Sequence, residues 1–233
     1  MLIEHRVYTL ALGMEQAFWD AQKLRGTGLQ PILERSLGSF ATRSGASDEI
    51  VSLYRWDSLE DGQNRLQGIY SNAALQPYFQ AVRPLIVEQK NKLLQPAPLA
   101  ALSPHWGHGR DWLPDQGPLC AGATVIEETT WTLRAGGLPA LWAALRSSRL
   151  GEDEAFTSSL LGVFSSVVGP LNQVVFYRHF TDANDAQSQR QKLNAMGAWQ
   201  EVRDAVRPLF VRSEVALLHP SDCHDMAPLF RTF

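Results

Sequence analysis

The start of the chain places a carboxylate, a guanidinium and a phenol at every second position. Residues 2–10 alternate in polarity as a strand does, so Glu4, Arg6 and Tyr8 project from one face. A carboxylate can act as a base or an anchor, and a guanidinium can hold an anionic or enolate oxygen. The spacing therefore suggests Glu4 and Arg6 as catalytic groups, with Tyr8 orienting a ligand.

A strand-like stretch at residues 50–56 adds two aromatic residues to this set. Ser52, Tyr54 and Trp56 occupy alternate positions and share one face of the strand. Tyr and Trp combine flat apolar surface with a polar atom at the edge. Tyr54 and Trp56 are therefore predicted to bind the ligand.

A similar stretch recurs later in the chain. Gly169-Pro170-Leu171-Asn172 indicates a tight turn, and the β-branched and aromatic run after it is typical of a strand. The pair Tyr177-Arg178 follows the pair Tyr54-Arg55 by 123 positions (177 − 54). The chain is therefore interpreted as a duplication.

The same offset pairs the candidate residues of the two halves. In the order Glu4, Arg6, Tyr8, Tyr54 and Trp56, the equivalents are Glu127, Thr129, Trp131, Tyr177 and His179. Glu127, Trp131 and Tyr177 are predicted to bind the ligand. His179 is the best candidate for proton transfer, because imidazole titrates near neutral pH. The alternative is a structural histidine at a strand end.

The opposite face of the first-half strands is more apolar, with Ile3, Val7, Val51 and Leu53. We expect that face to meet helices and the polar, aromatic face to line an enclosed cavity. The alternative is a buried Glu4–Arg6 ion pair and aromatic residues that only fill the interior.

The first half has the pattern of a ferredoxin-like motif. Its strands are predicted at residues 2–10, 38–43, 50–56 and 86–94, and its helical regions at 14–25 with 29–36 and at 58–82. Ser58 suits the N-cap of the second helical region, and Pro84 ends it. The order β-α-β-β-α-β is the split βαβ arrangement.

Further anchor points repeat in the same order, with the offset drifting from 123 to 124. Gly13 returns as Gly136, and Arg83-Pro84-Leu85 returns at 207–209. Such a series is hard to obtain by chance. We predict a first ferredoxin-like repeat at 1–96, a Pro/Gly-rich linker at 97–122, a second repeat at 123–220 and a C-terminal tail at 221–233.

Two small groups of residues could contribute to a metal site. His105 and His108 are three positions apart, and Cys223-His224 lies beside two aspartates. Neither group is a complete ligand set, so no metal is predicted. Cys120 and Cys223 are expected to be reduced in a cytoplasmic protein.

Composition argues against nucleic-acid-binding and membrane-spanning proteins. The chain has 233 residues, a net charge of −3 and no Lys/Arg run, which argues against a nucleic-acid partner. Charges interrupt the longest apolar stretches, so no membrane span is expected. No export signal precedes the first strand, which favours the cytoplasm. The motifs GxGxxG, GxSxG and the P-loop are absent from the sequence.

These motifs resemble those of the NIPSNAP family of the dimeric α/β-barrel superfamily. The resemblance is carried by Glu4-x-Arg6-x-Tyr8-Thr9-Leu10 with Gly13, by Tyr54–Leu59, by the Gly169–Asn172 turn and by Arg-Pro-Leu in both halves. The second half departs at Thr129 and Trp131, and the first departs at Ala46-Ser47-Asp48. Each half therefore departs from the family pattern at a different place. This suggests one composite cavity to which each half contributes a different wall.

The resemblance implies an α+β fold, in which two tandem ferredoxin-like repeats pack their antiparallel sheets face to face as a barrel within one chain. By superfamily analogy, it implies a small aromatic or amphipathic ligand in the inter-sheet cavity, and a cofactor-independent oxygenation or isomerisation. The alternative is a non-catalytic interaction module with a filled barrel, and a haem-binding barrel is a minor alternative. No cofactor is predicted, and a homodimer of whole chains is left open.

Overall fold

The structure, a computed structural model, describes residues 1–231. They divide into two compact units, each gathered from separate pieces of the chain. The first unit contains residues 1–93, 113–121 and 218 onward, and the second contains residues 94–112 and 122–217. The stretch predicted as a linker is therefore shared between the units.

The first unit follows the predicted element order. Its strands are β1 (Leu2–Leu10), β2 (Ser36–Ser44), β3 (Glu49–Trp56) and the first part of β4 (Ile86–Pro96), and its helices are α1 (Glu15–Ala21), α2 (Gln30–Leu33), α3 (Leu59–Tyr70) and α4 (Gln76–Val82). Ser58 caps α3, its hydroxyl accepting from the Asp61 amide at 3.1 Å. A 3-10 turn at Ala73–Leu75 separates α3 from α4, so the helical region predicted at 58–82 is two helices.

The second unit begins with the end of β4 and a short hairpin. The hairpin strands are β5 (Trp106–Gly107) and β6 (Arg110–Asp111). The remaining strands are β7 (Val125–Leu133), β8 (Leu160–Val168), β9 (Gln173–Phe180) and β10 (Phe210–Pro220), and the helices are α5 (Gly137–Ser148), α6 (Glu154–Thr157), α7 (Ala183–Ala195) and α8 (Gly197–Val206).

The strand order confirms the predicted fold class. The first four long strands run in the order β4-β1-β3-β2, and the second four run β10-β7-β9-β8. Strand β10 also neighbours β2, and β4 also neighbours β8, so the order closes on itself. The fold is α+β, with two ferredoxin-like repeats contributing to one closed barrel within the chain.

The C-terminal tail belongs to the first unit. The Ser221 amide donates to the Ser39 carbonyl at 2.9 Å, and the Cys120 amide donates to the Leu229 carbonyl at 2.7 Å. Arg25 forms an ion pair with Asp225. Phe233, at the end of the predicted tail, lies outside the described residues.

The third strands of the two halves correspond at an offset of 124, which corrects two sequence assignments. Glu4 pairs with Tyr54 in the first unit, whereas Glu127 pairs with Arg178 in the second. The offset on the first strands is 123, so one extra residue lies between β7 and β8. A one-residue slip moves a strand side chain to the other face. Tyr177 is therefore not the counterpart of Tyr54.

The face assignment in the first unit is also corrected. Tyr54 and Trp56 pack in one cluster with Phe18 of α1 and Phe79 of α4, so the aromatic face meets the helices. The expectation failed because β1 is buried on both faces: Ile3 is as inaccessible as Glu4. A strand covered on both sides does not show which face meets the helices by polarity alone.

Among residues 1–231, no helix has the length and apolar character needed to cross a membrane.

Candidate functional site

In the first unit, the Glu4 carboxylate is surrounded by donors. Arg6 donates to Oε1 through Nε at 2.9 Å and Nη2 at 2.7 Å, and the Trp56 indole donates to Oε2 at 2.9 Å. Asn91 also donates to Oε1. The side chains of Glu4 and Arg6 are each only 5% exposed. This geometry matches the ion-pair alternative, because the carboxylate already has donors on both oxygens.

Aromatic side chains close the rest of this region. Arg6 donates to the Tyr8 hydroxyl at 3.2 Å, and its guanidinium carbon lies 5.2 Å from the centre of the Tyr54 ring. Tyr54 stacks on Trp56 with centroids 5.6 Å apart. Burial raises the pKa of Tyr54 to about 12. The predicted residues Glu4, Arg6, Tyr8, Tyr54 and Trp56 thus come together, but as a packed and hydrogen-bonded core.

The second unit has an open cavity on the corresponding face of its sheet. Its volume is about 410 Å³, within the range of small-molecule sites. Strands β7, β9 and β10 line one side, and helices α7 and α8 line the other. The lining residues are Glu127, Thr129, Trp131, Phe176, Arg178, Arg190, Leu193, Asn194, Trp199, Arg203, Val206, Arg207, Phe210, Ser213 and Val215.

Thr129 is one reason for this opening. It occupies the position of Arg6, two residues after the equivalent glutamate. A threonine side chain is much shorter than an arginine, so it leaves space where the first unit holds a guanidinium. The sequence departure at Thr129 therefore coincides with the cavity.

Aromatic rings form the apolar part of the cavity. Trp131 stacks on Trp199 with centroids 5.1 Å apart and planes at 29°. Phe176 and Phe210 contact the Trp131 ring with centroid distances of 5.1 and 5.5 Å. These rings offer flat apolar surface to a planar ligand.

Glu127 supplies the cavity's carboxylate. Arg190 of α7 binds Oε2 through Nε at 3.0 Å and through Nη2. Oε1 has a weaker contact, with the Thr129 hydroxyl at 3.3 Å. Glu127 is 5% exposed. One carboxylate oxygen is therefore held by the arginine, and the other is less engaged.

Arg178 is a buried cation in the cavity wall, 7% exposed. Its Nη1 donates to the Phe156 carbonyl at 2.7 Å and to the Ser159 hydroxyl at 3.0 Å, and the guanidinium lies over the Phe156 ring. Its Nη2 is buried and has no acceptor. Burial lowers the pKa of Arg178 to about 10, although Glu127 opposes this shift. The side chain is still charged at neutral pH.

Arg203 and Arg207 lie at the exposed rim, on and just after α8. Arg207 pairs with Asp204, while Arg203 donates to the Asn194 side-chain oxygen at 3.2 Å. Within residues 1–231, no ion pair joins Arg203 or Arg178 to a carboxylate. The cavity therefore contains more positive than negative charge.

His179 and Tyr177 do not join this site. Tyr177 points to the other face of the sheet, where its hydroxyl lies 3.0 Å from the Glu128 carboxylate and its ring contacts Phe164. Burial, with a smaller contribution from Arg178, lowers the pKa of His179 below its ordinary value. The one-residue shift of β9 brings Arg178 to the position at which we expected Tyr177.

Several cavity residues were missed in the sequence. Arg190, Trp199 and Arg203 lie on helices whose position over the sheet cannot be read from strand periodicity. Arg178 could have been found by applying the 124 offset of Gly38 and Gly162 to the third strand. That offset was already visible in the sequence.

His105 with His108 and Cys223 with His224 are the two groups that could contribute to a metal site. Within residues 1–231, no group of three or more His, Cys, Asp or Glu side chains could hold a metal. The His108 Nε2 lies 2.9 Å from the Ala97 carbonyl. Both Cys120 and Cys223 are free thiols. The residues lining the cavity include no histidine, so they do not fit a haem that needs an imidazole ligand.

The chain is similar in sequence or in fold to several known proteins. The family model NIPSNAP matches residues 3–101 and 126–223, so the chain belongs to the NIPSNAP family. Comparison with curated proteins gave no significant match. A NIPSNAP-like domain protein from Burkholderia xenovorans is 29% identical over 42% of this chain and 86% of its own, with a TM-score of 0.39.

Two other solved structures match nearly the whole chain. A protein from Lactobacillus acidophilus NCFM, described provisionally as a monooxygenase, is 9% identical over 93% of this chain and 92% of its own, with a TM-score of 0.59. An anthrone oxidase-like protein is 11% identical over 94% of this chain and 91% of its own, with a TM-score of 0.58. At these identities the likeness concerns the fold alone.

Proposed function

We propose that the second unit binds a small, flat, largely apolar molecule in the cavity between its sheet and helices α7 and α8. The observation that carries this proposal is the 410 Å³ cavity with the stacked pair Trp131 and Trp199 on its wall. The sequence prediction placed the ligand between the two sheets. The cavity that supports the proposal lies instead between the sheet and the helices of one unit.

Glu127 is the group best placed for acid–base chemistry on such a ligand. Glu127 lines the cavity, and its Oε1 is less engaged than its Oε2. The carboxylate takes a proton from an acidic C–H of the ligand, leaving the electron pair on the ligand as a carbanion or enolate. The nearby arginines stabilise this negative charge.

Two reactions can follow this step. In an isomerisation, Glu127 returns the proton to a different carbon of the same molecule. In an oxygenation, dioxygen takes the electrons, so that a CH₂ group and O₂ give a C=O group and water without another reductant. The monooxygenase and anthrone oxidase names of the fold relatives favour oxygenation by analogy only.

The second candidate is a non-catalytic interaction module. The filled site around Glu4 favours it, because the first unit shows that this fold can keep the same region closed. The two candidates differ in what they predict for the second unit, where an interaction module needs no occupied cavity.

Binding of the neutral aromatic probe 2-naphthol, measured by isothermal titration calorimetry, tests the proposal. Thr129→Arg is the informative variant, because the new guanidinium can pair with Glu127 as Arg6 pairs with Glu4 and should fill the cavity. We expect it to keep the melting temperature within a few degrees and to weaken binding at least about tenfold. Gln187→Arg, on the exposed side of α7, is the matched control.

Two results would contradict the proposal. One is no binding of 2-naphthol to the unaltered protein. The other is equal binding by a correctly folded Thr129→Arg variant, which would place the probe elsewhere.

A further inference from the structure

The cavity has an excess of positive charge that the internal contacts do not neutralise. Its lining has four arginines and one carboxylate, Glu127. Arg190 is bound to that carboxylate, and Arg207 is bound to Asp204 outside the cavity. Among residues 1–231, Arg178 and Arg203 form no ion pair with a carboxylate, although Glu127 is near enough to Arg178 to oppose the lowering of its pKa by burial.

A second feature of the cavity is the buried guanidinium of Arg178 in its inner wall. Its Nη2 is buried and lacks an acceptor, while its Nη1 already makes two hydrogen bonds. An unsatisfied buried donor on a charged group is unfavourable, and proteins rarely leave one without a reason. Arg178 also lines the cavity, and an anionic oxygen is the ligand group that suits a guanidinium best.

We propose that the ligand of this cavity is an organic anion, an aromatic carboxylate or a phenolate-like oxyanion. Arg178 in the cavity wall and Arg203 at its rim attract the charged oxygen. This inference rests on the proposed function and deepens it by naming the class of ligand. The ring system stacks on Trp131 and Trp199, and the anionic oxygen lies toward the arginines.

The test compares 1-naphthoate with 1-naphthamide, two probes of nearly equal shape that differ in charge. Calorimetry on the full chain should show naphthoate binding at least about tenfold more tightly, as expected for a charge-assisted hydrogen bond. Arg203→Gln should reduce this preference several-fold. Arg146→Gln, an exposed arginine on α5 outside the cavity, should leave it unchanged.

Arg178→Lys and Arg178→Met extend the test to the inner wall. The methionine variant should remove most of the preference for naphthoate, and lysine should restore part of it. If the methionine variant does not fold, Arg203→Gln and the comparison of probes still decide the question.

The possible results distinguish failure of the anion inference from failure of the proposed aromatic-binding function. Equal affinity for the two probes, with both lost in Thr129→Arg, overturns the anion inference and leaves the aromatic site intact. If neither probe binds the unaltered protein, the proposed function fails and the inference fails with it.

Discussion

Thr129 stands where Arg6 stands in the first unit, and each follows the equivalent buried glutamate by two residues. Arg6 holds Glu4 within a closed core, whereas Glu127 is held by Arg190 from a neighbouring helix. The same structural design therefore gives a packed region in one unit and a cavity in the other. This pair of residues accounts for the closed region in the first unit and the open cavity in the second.

Arg6→Ala should destabilise the protein without affecting binding. It removes one partner of a buried ion pair and leaves Glu4 partly uncompensated, so the free energy of unfolding should fall by about 3–5 kcal/mol in urea titrations. The exposed Arg146→Ala should change it by less than about 0.5 kcal/mol. A stable Arg6→Ala protein that no longer binds 2-naphthol would instead restore Arg6 to a direct role in the site.

Glu127→Gln should slow proton transfer, whereas His179→Ala should leave it unchanged. The bicyclic ketone 2-tetralone is a suitable probe, and its acidic C–H groups can be followed by NMR as they exchange in D₂O. Glu127→Gln should slow protein-dependent exchange by about 100-fold or more, because the base is lost. His179→Ala should not change it, because His179 does not line the cavity. Loss of exchange only in His179→Ala would reverse these assignments.

The two cysteines should differ in reactivity. Cys120 is buried, and burial raises the pKa of its thiol to about 12, so almost no thiolate forms at pH 8. Cys223 is only half-buried. Iodoacetamide followed by peptide mass analysis should therefore label Cys223 first and Cys120 only after unfolding. Equal labelling of the native protein would show that the region around Cys120 opens readily.

Alkaline conditions should weaken the fold. Burial raises the pKa of Tyr8, Tyr54, Tyr78 and Tyr177 above the ordinary value. Above about pH 10 the unfolded chain loses phenol protons that the folded chain retains, so stability falls as pH rises toward the value of about 12 for Tyr54. Absorbance at 295 nm should show most tyrosines ionising together with unfolding. Independent ionisation near pH 10 in a folded protein would contradict their burial.

Substitution by alanine should have opposite effects on stability at two glycines. A Cβ at Gly38 would lie 2.5 Å from the Phe40 ring at a β-bulge and at φ of +154°, so Gly38→Ala should cost about 1–3 kcal/mol. Gly68 lies within α3 and has open space around its Cβ position, so Gly68→Ala should add about 0.5–1 kcal/mol. Thermal unfolding of the two variants measures both changes. Stabilisation by Gly38→Ala would show that the bulge is not under this constraint.

Local sequence signals were sufficient for the repeated element order. Gly13 and Gly136 mark the same turn, and the N-cap at Ser58 is present as expected. The face of each strand was harder to predict, because β1 is buried on both sides and its polar residues satisfy one another. The cavity could not be predicted for two reasons. Its strand residues depend on a one-residue insertion before β8, and helix side chains such as Arg190 reach the sheet only through tertiary packing.

The division of the chain also has a consequence for synthesis. The first unit uses residues 218 onward, so it lacks part of its own core until those residues have left the ribosome. Met226 of that segment packs with Phe18 and Phe79. A fragment ending near residue 122 would therefore be an incomplete half with exposed apolar surface. In a nascent chain, the core around Phe18 is therefore completed only after residues that lie about 200 positions later have been synthesised.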